Sequence, residues 1–131
     1  MDAIETASIF DAVGFDSIEL SGGLSWGWNT YGLDWSPCRV SYDDVYYLDV
    51  SRQLKKEINT PIILTGGIKS LSVAEQIIES KAADYIGLCR PLLREPDLVK
   101  RWRLGEKESS DCIYCSACLL IDGETVCTQL G

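Results

Sequence analysis

The feature of this sequence that most constrains its fold is an alternation of short apolar runs with amphipathic segments. Each apolar run is the length of a buried strand and ends in a polar or glycine-containing stretch. The three runs cover residues 15–20, 61–64 and 84–89. Apolar strands alternating with amphipathic helices predict a parallel sheet covered by helices, which makes the fold class α/β.

Four helices are predicted between and around these strands. Three of them cover residues 2–13, 43–58 and 71–81, and a fourth has Pro96 in its first turn and ends at Gly105. Gly14 stands where a C-cap glycine is expected, directly after the first helix. Ser72 and Glu75 have capping-box spacing at the start of the third helix. On the fourth helix we expect Trp102 to face the core.

Composition excludes several classes of function. The chain has 131 residues, enough for one modest domain, and its net charge of −8 disfavours nucleic acid and anionic membranes as partners. No apolar run approaches the length of a membrane span, and the first residues lack a signal-peptide pattern, so we expect a cytoplasmic protein. Histidine is absent, which removes histidine-based acid–base chemistry and histidine metal ligands.

A long loop is predicted over residues 24–42, and it contains Trp26, Trp28 and Trp35. Long aromatic loops are often functional, but these rings can equally cover an edge of the core. Two cysteines, Cys38 and Cys89, lie outside any metal-binding spacing. We expect both to be small buried residues.

The run TPIILTGGIKS, residues 60–70, ends its strand in two adjacent glycines, Gly66 and Gly67. Parallel sheets bind ligands at the carboxyl ends of their strands, and glycine lets backbone N–H groups approach an anion closely. The next strand ends near Arg90, and the helix that begins near Ser70 would add its positive N-terminus. This pattern predicts a phosphate site. The alternative is a tight turn at the glycines, with Arg90 paired to a helix carboxylate.

The tail, residues 106–131, is polar at first and then rich in cysteine. Four cysteines, Cys112, Cys115, Cys118 and Cys127, fall in the last 20 residues. Two-residue spacers let successive thiolates converge on one centre, so the group can bind an iron–sulfur cluster or a tetrahedral zinc ion. The alternative is a reduced cysteine cluster without metal.

Three segments carry a resemblance to a known family. They are GFDSIELSGG, INTPIILTGGIKSLSVAEQIIESKAADYIGLCRPLLREPDLVKRW and CIYCSAC. Together they resemble the C-terminal part of the Old Yellow Enzyme family, which are NADH:flavin oxidoreductases and ene-reductases built on a TIM barrel with bound FMN. The resemblance implies that residues 1–105 are the last part of a flavin-binding (β/α) barrel, about three βα units, followed by the cysteine-rich tail at 106–131.

The resemblance also implies which residues bind the cofactor. In the family, the glycine pair and the arginine after the last strand bind the FMN phosphate, which places these roles on Gly66, Gly67 and Arg90. Many members have glycine where this chain has Cys89, whose backbone N–H can still reach a phosphate. Some relatives carry a [4Fe–4S] cluster just after the barrel, with a slightly longer gap before the third cysteine.

The family's catalytic groups have no counterpart in this sequence, so no catalytic residue is assigned. A TIM barrel needs eight strands and roughly 250 residues. The chain is therefore expected to be a fragment of a longer enzyme, to complete its barrel with another chain or a copy of itself, or to be a separate small domain. We favour the fragment and expect no hydride transfer by the chain alone. NAD(P)H and a small-molecule substrate would bind only once the barrel is complete. A second hypothesis is a non-enzymatic metal-binding or electron-transfer module based on the cysteines.

Overall fold

A computed structural model describes residues 3–21, 45–115, 118 and 125–130 of the chain. In the described part, three strands alternate with helices. In chain order the elements are α1 (Ala3–Val13), β1 (Ile18–Leu20), α2 (Leu48–Glu57), β2 (Ile62–Thr65), α3 (Leu71–Glu79), β3 (Tyr85–Gly87), α4 (Arg90–Arg94) and α5 (Leu98–Arg103). The predicted order of strands and helices is confirmed, and α4 is an addition to it.

The three strands form one parallel sheet in the order β1–β2–β3. Ile18 pairs with Ile62 at one end of the first ladder, and Thr65 pairs with Gly87 at the end of the second. The predicted parallel sheet is therefore confirmed. The carboxyl ends of β2 and β3 consequently lie side by side, and these are the ends that carry the predicted phosphate residues.

One face of the sheet is buried beneath the helices. Ile18, Ile62 and Leu64 point to this face, and the last two have no exposed surface. Leu54 and Ile58 of the α2 region and Ala74 and Ile77 of α3 complete the contact. The period-two pattern of strands and the helical spacing of α2 and α3 place these residues together, which is why the sequence predicted this core well.

The opposite face of the sheet carries a different set of side chains, among them Glu19, Thr65 and Tyr85. Thr65 Oγ1 donates a hydrogen bond to Glu19 Oε1 at 2.9 Å, and Tyr85 is 59% exposed. In the described part of the chain this face is open. A parallel sheet of three strands with helices on one face leaves its other face uncovered, and the exposure of Tyr85 agrees with that.

The C-terminus of α1 follows the prediction from the sequence, whereas the N-termini of α3 and α5 depart from it. Gly14 ends α1 with φ of +87°, and its N–H donates to Phe10 O at 3.1 Å, as the C-cap prediction requires. The N-cap of α3 is Ser70, not Ser72, because the Ser70 hydroxyl accepts from Val73 N. Pro96 lies before Asp97, the N-cap of α5, and is not in its first turn.

The start of α4 was missed by the sequence analysis, although a proline marks it. Pro91 occupies the first turn, where its missing N–H costs nothing. Cys89 is the N-cap of α4 and is exposed, so the prediction that it is buried was wrong. It is exposed because it ends a strand at the rim of the sheet, where the chain turns into a helix.

Trp102 of α5 is buried as predicted, and Gly105 follows the helix with φ of +68°. The tryptophan loop at 24–42 and Cys38 lie outside the described residues. Among the helices that the structure describes, none is long and apolar enough to cross a membrane.

Candidate functional site

The predicted phosphate site lies where β2 and β3 end next to each other. Both glycines after β2 have left-handed backbones, with φ of +113° at Gly66 and +77° at Gly67. Within the described residues, the backbone N–H of Gly67 has no hydrogen bond, whereas Gly66 directly follows the pairing of Thr65 with Gly87. The Gly67 N–H is therefore a donor available to a bound anion. We call Gly66, Gly67, Cys89 and Arg90 the phosphate cup.

Gly87 is what allows the two strands to approach so closely. A Cβ at this position would overlap Oγ1 of Thr65, its partner in the neighbouring strand. The absence of a side chain at Gly87 therefore brings the start of α4, with Arg90, to the end of β2. The role of Gly87 was not predictable from the local sequence, because it depends on the register of the sheet.

Arg90 reaches the glycine end of β2 through two tyrosines. Its Nη2 donates to the Tyr46 hydroxyl at 3.3 Å, and its Nη1 donates to the Tyr114 carbonyl at 3.4 Å. The guanidinium also lies over the Tyr114 ring, 4.5 Å from its centroid. A guanidinium held in this way has a fixed orientation, which suits bidentate binding of a phosphate.

Tyr46 is a residue of this site that sequence reasoning missed. Its ring packs on Gly66, where a Cβ would lie 2.8 Å from Tyr46 Cδ2. Its backbone N–H donates to Gly66 O at 3.4 Å. Gly66 therefore serves two needs, a left-handed turn and room for an aromatic ring. Nothing in the local sequence indicated the contact of Tyr46 with a loop 20 residues away.

The N-terminus of α3 does not contribute to the cup, and that prediction was wrong. The N–H groups of its first turn, which have no partner within the helix, are bonded to the tail. Leu71 N donates to Glu108 O at 2.9 Å, and Ser72 N donates to the Glu108 carboxylate at 3.0 Å. Hydrogen bonding to Ser72, from its side chain first and its backbone second, keeps the pKa of Glu108 below its ordinary value. A carboxylate of the tail thus takes the position that we predicted for the ligand.

The four cysteines of the tail line one cavity. Cys112, Cys115, Cys118 and Cys127 surround a space of about 20 Å³, and Arg90 and Arg94 lie on its wall. We call this space the cysteine cavity. Within the part of the chain that is described, no three metal-binding side chains are arranged to hold an ion. The four cysteines thus share one space without forming a coordination shell, and the metal site stays a prediction.

Buried charged and ionisable groups line the cysteine cavity. Nη1 of Arg94 is buried and has no hydrogen-bond partner among the described residues. Burial raises the pKa of the Cys118 thiol. The guanidinium groups of Arg90 and Arg94 on its wall would stabilise a negatively charged group bound in the cavity.

Glu95 fixes the position of the chain that leads to the cysteines. Its carboxylate is buried and accepts from Lys107 Nζ at 2.7 Å and from the Ser110 hydroxyl and the Asp111 N–H at 2.6 Å each. Ser110 Oγ in turn accepts from the Cys112 N–H at 3.1 Å. Burial raises the pKa of Glu95, but the hydrogen bonds from Lys107, Ser110 and Asp111 outweigh it and lower that pKa to about 2.

Comparisons with known proteins agree with the fold and with the sequence resemblance. No protein-family model matches the chain. It is 32% identical over 104 residues to the NADH-dependent flavin oxidoreductase iccE of Talaromyces variabilis, a match that covers 74% of this chain and 24% of that protein. It is 26% identical over 96 residues to the 4,4'-dithiodibutanoate disulfide reductase of Rhodococcus erythropolis, covering 73% of this chain and 23% of that protein.

A solved structure, a variant of NCR from Zymomonas mobilis, superposes with a TM-score of 0.56 at 20% identity, covering 82% of this chain and 30% of that one. The chain resembles part of the Old Yellow Enzyme family in sequence and in fold. It spans about a quarter of the length of the two curated relatives. The three strands and their helices therefore correspond to a part of the Old Yellow Enzyme barrel, as the sequence predicted.

Proposed function

We propose that this chain is the C-terminal, FMN-phosphate-binding portion of an Old Yellow Enzyme-like NAD(P)H:flavin oxidoreductase of the ene-reductase type. The observation that carries the proposal is the adjacency of two strand ends, one followed by the left-handed pair Gly66 and Gly67 and one followed by Arg90. In this proposal residues 1–105 are the barrel portion and residues 106–131 are the cysteine-rich tail.

The cup suits a phosphate ester in both charge and shape. The N–H groups of Gly66 and Gly67 would donate to phosphate oxygens, and the Arg90 guanidinium would neutralise the charge from the neighbouring strand end. Cys89 would contribute its backbone N–H at the start of α4. Since Cys89 is exposed, its side chain can point away from the ligand.

FMN, when bound, supplies the flavin ring that exchanges a hydride with NAD(P)H and with substrate. The residues proposed here hold only the phosphate end of that cofactor, and no catalytic residue is assigned to this chain. We therefore expect the isolated chain to bind FMN without oxidising NAD(P)H. NAD(P)H and a small-molecule substrate would bind after other barrel strands, from the same protein or another chain, complete the site.

The proposal is tested by comparing FMN with riboflavin, which lacks the phosphate. We expect FMN to bind the chain roughly tenfold or more tightly than riboflavin, because a charge-assisted contact to phosphate contributes on the order of 1.5–3 kcal/mol. Arg90→Lys should remove most of that preference. Flavin fluorescence titration gives both dissociation constants.

Arg103→Lys is the matched control, since Arg103 is an exposed arginine on α5 outside the cup. It should retain the preference of the wild type for FMN. Equal affinity of the wild-type chain for FMN and riboflavin would contradict the proposal.

A second function is favoured by the cysteine cavity. Four thiols and two arginines around one space are suited to a metal centre, as a non-enzymatic metal-binding or electron-transfer module. The spacing of the cysteines favours a [4Fe–4S] cluster, with zinc as the alternative. A cavity of about 20 Å³ holds a single ion more readily, so a cluster would require the cysteines to move apart.

Metal content and absorption of the purified chain separate these outcomes. A [4Fe–4S] cluster gives a broad brown absorption with iron and sulfide, and zinc gives one colourless ion per chain. Cys115→Ser should abolish binding of the cluster or of the zinc ion. Cys89→Ser should leave metal binding intact, because Cys89 is not on the cavity wall. Purified chain with neither metal, and with no uptake after anaerobic reconstitution, would exclude this function.

A further inference from the structure

We infer that Tyr114, within the cysteine motif, is a positioning residue for Arg90, so that the tail contributes to anion binding at the phosphate cup. The inference rests on the proposed function, since it concerns the same cup. It concerns a residue on a different segment from the glycines and the arginine.

Tyr114 makes three contacts that lead to the cup. Its carbonyl accepts from Arg90 Nη1 at 3.4 Å, its ring lies under the Arg90 guanidinium at 4.5 Å, and its hydroxyl donates to Ile68 O at 2.8 Å. Ile68 directly follows Gly67. Tyr114 therefore holds Arg90 with its backbone and ring while its hydroxyl is fixed to the glycine loop.

The backbone of Tyr114 indicates that this arrangement is specific. Its φ is +55°, a left-handed conformation that a residue with a side chain rarely adopts. The side chain is also buried. An unfavourable backbone conformation persists where surrounding contacts stabilise it, and here those contacts are the ones made to Arg90 and to Ile68.

Tyr46 holds the same guanidinium from another direction. Its hydroxyl accepts from Arg90 Nη2 at 3.3 Å, and its ring packs on Gly66. Both tyrosines are thus anchored on the 66–68 loop, and both contact Arg90. A guanidinium fixed from two directions loses less conformational freedom when it binds an anion, which increases affinity by preorganisation.

The position of Tyr114 in the chain has a consequence for the tail. It lies between Cys112 and Cys115, two residues that line the cysteine cavity. Arg90 lies on the wall of that cavity as well. A tail that is not docked would remove one support of Arg90, so the affinity of the cup for phosphate should depend on the docked tail.

The test measures FMN and riboflavin affinity in variants of the full chain. Tyr114→Leu removes the ring under the guanidinium and the hydroxyl, and we expect its FMN dissociation constant to rise roughly tenfold with little change for riboflavin. Tyr114→Phe keeps the ring and loses only the bond to Ile68, so we expect a rise of roughly threefold. Tyr85→Leu, an exposed tyrosine at the far end of β3, is the matched control and should bind like the wild type.

A double-mutant cycle with Arg90→Lys separates positioning from a general loss of structure. If Tyr114 acts through Arg90, Tyr114→Leu should cause little further loss once Arg90 is lysine. A full, additive loss in that background would overturn the inference. If circular dichroism shows that Tyr114→Leu does not fold, Tyr114→Phe is used as the test instead. An unchanged FMN dissociation constant in Tyr114→Phe would then overturn the inference.

The same titrations distinguish this inference from the function on which it rests. A wild-type chain that prefers FMN over riboflavin, together with a Tyr114→Leu variant that keeps the whole preference, would disprove only the role of Tyr114. A wild-type chain without the preference would disprove the proposed function and this inference together.

Discussion

The two candidate sites of this chain are positioned by different kinds of interaction. The glycines of the phosphate cup and the start of α4 follow paired strands, and the register of β2 and β3 brings them together. The tail segment, residues 107–115, contains no helix or strand. It is positioned by a short backbone bridge between Ser70 and Ser109 and by side chains, chiefly the buried carboxylate of Glu95 and the ring and hydroxyl of Tyr114.

Apolar burial therefore positions the phosphate cup, whereas polar contacts position the tail and its cysteines. The cup depends on a core that is insensitive to pH, because its members are aliphatic. The tail depends on the buried, ionised carboxylate of Glu95. Protonation of this carboxylate weakens the contacts that it makes with its partners. The two regions should therefore respond differently to truncation and to acid.

Truncation of a sheet residue should have the largest effect on stability. Leu64, in the middle of the core, has no exposed surface, so Leu64→Ala should lower the free energy of unfolding by about 3 kcal/mol through lost burial and an unfilled cavity. The matched truncation in the tail, Ile113→Ala, removes a side chain that is 64% exposed and should cost less than about 0.5 kcal/mol. Urea unfolding followed by circular dichroism measures both.

An equal loss of unfolding free energy in Leu64→Ala and Ile113→Ala would contradict this contrast between the core and the tail. It would mean that Ile113 is covered in solution and that the tail has an apolar core of its own. A loss at Leu64 alone would confirm that burial is concentrated beneath the sheet.

Glu95→Gln should have an intermediate effect that depends on pH. The variant loses the charge that holds Lys107 and weakens the bonds from Ser110 and Asp111, so near neutral pH we expect a loss of about 2 kcal/mol. The folded pKa of Glu95, about 2, lies below its ordinary value of 4.5. The contribution of Glu95 is therefore complete above pH 4.5 and is lost as the pH falls towards 2.

The measurement is the urea midpoint of wild type and variant between neutral pH and the acid limit. The difference between them should shrink over the window below pH 4.5. Glu75→Gln, an exposed carboxylate on α3, is the control and should follow the wild type. A difference that is constant with pH would show that the ionised carboxylate is not what holds the tail.

The sequence predicted what depends on local pattern. Strands and helices followed from apolar periodicity, the end of α1 from Gly14, and the adjacency of the glycine pair and Arg90 from the parallel order of the strands. The contacts of Tyr46, Gly87 and Glu108 could not be predicted, because each depends on which distant segment packs beside it. Ser70 was missed as the N-cap since Ser72 and Glu75 offered the more familiar spacing, and the tail competes for the same helix end.

Glu108→Ala should have a smaller effect on stability than Glu95→Gln, and it tests how the cup and the tail contact each other. Removing the carboxylate frees the Ser72 N–H at the start of α3, so the urea midpoint should fall less than in Glu95→Gln, since Glu108 is exposed. FMN affinity should stay within about twofold of the wild type, because in this structure the α3 terminus belongs to the tail and not to the cup. A loss as large as that of Arg90→Lys would mean that Glu108 supports the glycine loop, and that the two regions share more than Arg90 and Tyr114.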